Sequence, residues 1–311
     1  MTHLFRSIAL TFAIAATSLG ATTPQPTAST TLVQVAPSTA AATAAPARPA
    51  LWKVADEDTT IYLFGTIHAL PGGIDWLHGN VAQAIDRSQE LVTEITDGSS
   101  PELQARVMGK AMLTPGKSLR DLLNEGERKR YEAAIKTLGL PESTFDAFKP
   151  WYAAVGLATL PLVRSGYSAE NGVEEALEAR IKPRNLPHSG LETMEFQLGL
   201  FDGLPPAVQK RYLMDVIDGL PQITGELDRM VAAWKAGDAD RLASIMNEDE
   251  EDPAMMEALI TNRNRAWAQW VQARLARPGT VFVAVGAGHL AGDGSVQAQL
   301  AAKGLTTQRV Q

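Results

Sequence analysis

From Leu51 the chain alternates in short apolar runs, "LWKV" and "IYLFG", around the polar "ADEDTT", a pattern that predicts a β-hairpin with Trp52 and Tyr62 as packing residues. "WLHGNVAQAIDRSQE" follows with Val81 and Ile85 at helical spacing, and then "LVTEI", whose β-branched content predicts a second strand with Glu94 inside it or at its end. Residues 101–182 read as helices separated by Pro and Gly breaks: "PELQARVMGKAML", "SLRDLLNEGERKRYEAAIKTLG", "KPWYAAVGLATLPLV" and "ENGVEEALEARIK". "LPHSGLE" reads as a short strand, and helices resume through "TMEFQLGLFDGL", "PAVQKRYLMDVIDGL", "ITGELDRMVAAWKAG" and a long one ending near "NRNRAWAQWVQARLARPG". The chain closes with a strand "TVFVAV", a helix "SVQAQLAAKG" and a last strand "TTQRV". Strand-rich units at both ends and a helical middle predict one α/β fold, a mixed sheet assembled from both ends of the chain with a largely helical insertion or cap.

The same sequence grammar occurs twice in that pattern. "FGTIHALP" and "VAVGAGHLAG" each end an apolar run with a G-x-x-H turn, placing Gly65 with His68 and Gly286 with His289. A histidine just past the C-terminal end of a strand faces the crevice where open α/β sheets bind ligands, and a nearby glycine lets backbone approach closely. Two imidazoles and one carboxylate make a usual shell for a catalytic Zn²⁺, Mn²⁺, Co²⁺ or Fe²⁺, and Glu94 is the carboxylate placed best by position. "RNRAW" adds Arg263 and Asn264, a guanidinium and an amide able to face an oxyanion or carboxylate; the alternative is an exposed helix face with Trp267 and Trp270 packed inward. His3, His78 and His188 stand in weaker contexts.

Composition narrows the chemistry. With 45% hydrophobic and 20% charged residues, 311 residues can bury a substantial core. There is no cysteine, so disulfides, thiol nucleophiles and Cys-ligated metals are excluded. All 35 acidic residues, and all but Arg6 and Arg48 of the 28 basic ones, follow residue 50. An acidic body argues against nucleic acid or an anionic membrane surface as partner and leaves a peptide or small molecule. The first 21 residues, with Arg6 ahead of "IALTFAIAATSLGA", form a signal-peptide pattern shorter than a spanning helix needs. The expectation is export, cleavage between Ser18 and Ala21, no stable membrane insertion after cleavage and a periplasmic location; an uncleaved anchor is the alternative. Residues 22–50, rich in Pro, Ala, Thr and Ser, read as a disordered tether, leaving residues 51–311 as the domain.

Competing motifs fail on context. "AMLTPGKS" carries the end of a phosphate-binding loop but has Ala111 at its first glycine position and no leading strand. "GAGHLAG" is one residue too long for a dinucleotide fingerprint, and neither G-x-S-x-G nor H-E-x-x-H occurs. "NEDEEDP" lacks calcium-loop spacing and reads as a solvated helix junction.

Taken together, "YLFGTIHALP", "LVTEI", "KPW", "GVEEAL", "GLETMEFQL", "RNRAWA" and "FVAVGAGHLAGDGSVQAQLAAKG" resemble the TraB/GumN family from about Leu51 to the C-terminus. That family is similar to the Tiki metalloproteases and, more distantly, to erythromycin esterases and haem-associated ChaN-like proteins. The resemblance implies an α/β fold with both G-x-x-H turns facing one cleft, His68, His289 and Glu94 as the metal and catalytic set, and less defined roles for Gly65, Gly286, Arg263 and Asn264. It also implies a divalent metal, Mn²⁺ or Co²⁺ ahead of Zn²⁺, and metal-dependent hydrolysis of a peptide or amide bond, with Glu94 either a ligand or the general base. Two other readings stay open: a non-catalytic periplasmic binding protein for haem, metal or peptide, and a metal-free esterase with His68 as base and Glu94 as its orienting partner.

Overall fold

The computed structural model describes residues 46–96, 100–247 and 253–311. The segment read as a signal peptide and most of the one read as a tether lie outside the described residues. The last residues assigned to the tether do not fit that reading: Ala47 is buried, its N–H donates to the Asp75 carbonyl at 2.9 Å, and the Arg48 N–H donates to the Lys235 carbonyl at 2.7 Å. The packed body therefore starts a few residues before Leu51. Among the described residues no helix is long and apolar enough to cross a membrane.

The expected hairpin forms from β1 (Leu51–Ala55) and β2 (Thr59–Thr66), with Trp52 opposite Leu63 and Lys53 opposite Tyr62. Two residues, β3 (Leu70–Pro71), then pair with β5 (Tyr167–Ser168) in a small separate sheet that alternation alone does not reveal. The main sheet is completed by β4 (Glu90–Thr93), β6 (His188–Gly190), β7 (Gly279–Gly286) and β8 (Gln308–Arg309) in the order β6-β4-β7-β2-β1-β8. β6, β4, β7 and β2 run parallel, and β1 joins antiparallel between β2 and β8. The mixed α/β sheet drawn from both ends of the chain is thus present, with the helical region between.

Parallel strands buried on both faces read as unbroken apolar runs. β7 fits: residues 281–286 are all buried, with Phe282 and Ala284 in one core and Val281, Val283 and Val285 in the other. The second core is closed by Trp267, Ala268, Val271 and Leu275 from the helix Asn262–Leu275. The first continues into the helical region, where Trp151, Phe201 and Tyr212 stack in series.

Local chemistry accounts for the boundaries that differ from expectation. The helix expected over "SLRDLLNEGERKRYEAAIKTLG" divides into a 3₁₀ turn, Leu119–Leu122, and the helix Glu125–Thr137. Asn124 and Glu127 form a reciprocal capping box that starts a new helix there. The long helix ahead of β7 contains a π-helical turn, Glu257–Thr261, immediately before Asn262–Leu275.

Candidate functional site

The sheet register sets the site. Thr66 pairs with Gly286 and Thr93 with Ala284, so β2, β4 and β7 end at one level, and β6 ends beside β4 with Thr93 opposite Gly190. The residues just beyond those four ends are His68, Glu94, Glu192 and His289. This is the C-terminal edge where parallel sheets place ligands.

The glycines of the two motifs shape the backbone. A Cβ on Gly65 would lie 3.0 Å from both the Cα and the Cβ of Ala287, so this glycine lets the two turns touch. The Gly65 carbonyl accepts from the Trp234 indole at 2.7 Å. The Gly286 N–H donates to Glu94 Oε1 at 2.7 Å and thereby orients that carboxylate.

Glu94 is 5% exposed, and its other oxygen, Oε2, accepts from Arg263 Nη2 at 2.6 Å and from Gln197 Nε2 at 2.9 Å. Burial alone would raise its pKa; the Arg263 guanidinium overrides that and, with the Gly286 N–H, holds the carboxyl well below the usual range. Arg263, 2% exposed, spends every donor on the protein. Nε and Nη2 reach Glu192, at 3.1 and 2.8 Å, Nη2 also reaches Glu94, and Nη1 reaches the Leu259 carbonyl at 3.1 Å and His289 Nε2 at 3.0 Å. Its guanidinium also lies 4.8 Å from the ring centre of Trp267, whose indole N–H donates to Glu192 at 2.9 Å. Arg263 and Asn264 are therefore both buried, and neither belongs to an exposed helix face.

Asn264 sets the state of the second motif histidine. Its amide nitrogen donates to the Gly294 carbonyl at 2.8 Å, so its Oδ1 faces His289 Nδ1 at 2.6 Å as acceptor. His289 thus carries its proton on Nδ1 and offers the Nε2 lone pair to Arg263. Burial, reinforced by that guanidinium, pushes the His289 pKa down to about 3, and the ring is neutral at pH 7.

His68 is treated differently. Its side chain is 20% exposed, and Nδ1 lies 2.6 Å from Glu174 Oε1. Glu174 stands in the first turn of the helix Val173–Ile181, where a carboxylate is favoured by the helix dipole. Burial would lower the His68 pKa, but Glu174 raises it to about 9, with Glu94 contributing and Arg263 opposing. The charge of His68 also lowers the pKa of His289, and both histidines act on Glu94, which puts the two motif histidines in one electrostatic cluster with that carboxylate.

The arrangement thus brings together His68, His289, Glu94, Arg263, Asn264, Gly65 and Gly286. It adds Glu174, Glu192 and Gln197, none of which sequence patterning had singled out, and Trp267, which patterning read only as an inward-packing residue. Each lies in a segment that carries the family resemblance, and Glu192 follows a short strand just as Glu94 does. His188 lies apart on the sheet edge, with Nε2 2.8 Å from Thr93 Oγ1, and His78 caps a helix without a side-chain bond.

The donor chemistry suits a divalent ion: one ionised carboxylate and two imidazoles, each with Nδ1 tied to an oxygen, leaving Nε2 as the ligand atom. Their spacing is set by a different cation. Among the described residues no three His, Asp or Glu side chains are gathered as a ligand shell, and Arg263 bridges His289 and Glu94 instead.

A family model described as the TraB/PrgY/gumN family matches residues 50–309. The chain belongs to that family. Two relatives, both called "Uncharacterized protein YbaP", from Escherichia coli K12 and Shigella flexneri, are each 23% identical over 239 residues, covering 77% of this chain and 87% of theirs. No solved structure matches. Within this TraB/PrgY/gumN domain, the matched span contains every side chain of the cluster, from Gly65 to His289.

Proposed function

We propose that the chain is an exported, periplasmic hydrolase of peptide or amide bonds, using a divalent metal ion held through His68, His289 and Glu94. The observation that supports it most is the matching anchorage of the two motif histidines. Glu174 holds Nδ1 of one and Asn264 holds Nδ1 of the other, the usual outer partners that orient a histidine to bind metal through Nε2. Family membership agrees through the similarity to Tiki metalloproteases, which also favours Mn²⁺ or Co²⁺ over Zn²⁺.

When bound, such an ion supplies a Lewis acid and a water whose pKa falls from about 15.7 to about 7. The chain's own groups do the rest. Glu174 fixes the His68 ring, Asn264 fixes the His289 tautomer, and Gly286 with Arg263 keeps Glu94 ionised. Glu94 then either holds the ion or, standing back, accepts a proton. The metal-free esterase reading is weaker because Glu174 rather than Glu94 partners His68.

The test is metal content and calorimetry with Mn²⁺, Co²⁺ and Zn²⁺ on the mature chain beside His68→Ala and His289→Ala. Stoichiometric binding by the wild type, lost in both variants, together with chelator-sensitive peptide hydrolysis is expected. Folded wild type that binds none of the three ions sinks the proposal.

A further inference from the structure

The guanidinium of Arg263 lies against the ligand atoms that this reading assigns to a metal: Nη1 is 3.0 Å from His289 Nε2 and Nη2 is 2.6 Å from Glu94 Oε2. We propose, resting on the metal reading above, that Arg263 is the site's built-in cation and competes directly with the divalent ion for His289 and Glu94, thereby setting the protein's metal affinity.

Three features make the guanidinium an exchangeable counter-ion as well as a structural pair. Its donors divide into two sets. Nε and one N–H of Nη2 are anchored on Glu192, which is itself held by the Trp267 indole and by Gln197, whereas Nη1 and the second N–H of Nη2 reach the ligand atoms. The anchored set can stay while the other is given up. Second, the charges invite replacement: two buried carboxylates, Glu94 and Glu192, share one buried guanidinium, so the pair retains one uncompensated negative charge that a divalent ion answers better. Third, Arg263 enters the site directly after the π-turn Glu257–Thr261, whose Leu259 carbonyl takes the remaining Nη1 donor. Single π-turns inside helices recur at functional sites.

The competition is read by two measurements on the full chain. Calorimetry with Mn²⁺ compares wild type with Arg263→Gln, which removes the competing charge and leaves both carboxylates; the expected result is at least tenfold tighter binding by the variant. The second follows the Arg263 side-chain Nη–H signals of the wild type by NMR during a Zn²⁺ titration. The Nη–H signals that face His289 and Glu94 are expected to shift as the ion saturates, while the Nε–H bonded to Glu192 stays in place. Metal binding that leaves them unchanged, or a folded Arg263→Gln that binds no tighter, overturns the competition and leaves the metal reading standing. Binding by folded Arg263→Gln alone supports the competition and removes a resident metal from the wild type. If the variant does not fold, the wild-type spectrum decides. No binding by the wild type at millimolar metal, with a variant that also fails to bind or to fold, overturns both.

Discussion

His68 and His289 follow the ends of adjacent parallel strands within the same four-residue grammar, yet one sits in a partly open ion pair with its pKa near 9 and the other is buried and neutral, with its pKa near 3. The motif sets where the two backbones go: Gly65 and Ala287 touch, and Gly286 reaches Glu94. It does not set what the imidazoles do. The partners do that, Glu174 from a helix of the insertion for the first turn, and Asn264 and Arg263 from the helix before β7 for the second. One turn is thus tied to the helical middle and open to solvent, and the other is locked under the sheet edge.

The largest break in this comparison is Arg263→Met in chelated protein. It strands Glu94 and Glu192 as buried carboxylates and is expected to cost about 3–5 kcal/mol by denaturant unfolding. The corresponding change at the open turn, Glu174→Gln, is expected to cost about 1 kcal/mol, because that pair is partly exposed. Equal losses would show that the two turns are not differently built.

The histidines themselves should split in the same direction. His289→Ala leaves Asn264 Oδ1 and Arg263 Nη1 without their partner in a buried place, an expected loss of about 2–4 kcal/mol. His68→Ala, whose partner Glu174 can take up water, should cost clearly less. A reversed order would mean that the buried network is slack and that His68 holds the insertion in place.

Much of this asymmetry lies beyond what a chain pattern carries. Apolar runs and turn residues announced the hairpin, "LVTEI", "TVFVAV" and both G-x-x-H turns, because period and local turn chemistry are written within a few residues. They also placed Glu94 at a strand end. The pairing of Arg263 with Glu94, 169 positions apart, is a tertiary fact that no period encodes, and so is the exchange of Glu94 for Glu174 as the partner of His68. "RNRAW" looked compatible with an exposed face because its charges are read as solvated; burial became affordable only through two carboxylates brought in by other strands. The small sheet of β3 and β5 was missed because two-residue strands have no alternation to read.

Glycine substitutions sharpen the comparison at the backbone level. A Cβ on Gly172 would fall 2.3 Å from the His68 carbonyl oxygen and 2.8 Å from that of Ala169, both fixed backbone atoms. Gly172→Ala must push the insertion off the first turn, at an expected cost of about 1–3 kcal/mol. Gly288 beside the second histidine looks as crowded, with Met246 Cε at 2.3 Å, but that atom ends a flexible side chain. Gly288→Ala should therefore cost less than Gly172→Ala in thermal unfolding, and the opposite order would contradict the contacts assigned to both turns.

The smallest effect separates the turns by pH. In chelated protein His68 has its pKa raised from about 6.5 to about 9, so the stabilisation from its pair with Glu174 is complete below pH 6.5 and disappears as pH rises through 9. The expected loss is at most about 2 kcal/mol, given the pair's partial exposure. His289 has the opposite sign: its depressed pKa gives stability that is present above pH 6.5 and falls away as pH drops toward 3. Unfolding free energies from pH 4 to 9.5 should lose their alkaline slope in His68→Ala and part of their acid slope in His289→Ala. An alkaline slope that survives in His68→Ala would place that proton elsewhere and remove the charge difference between the two turns.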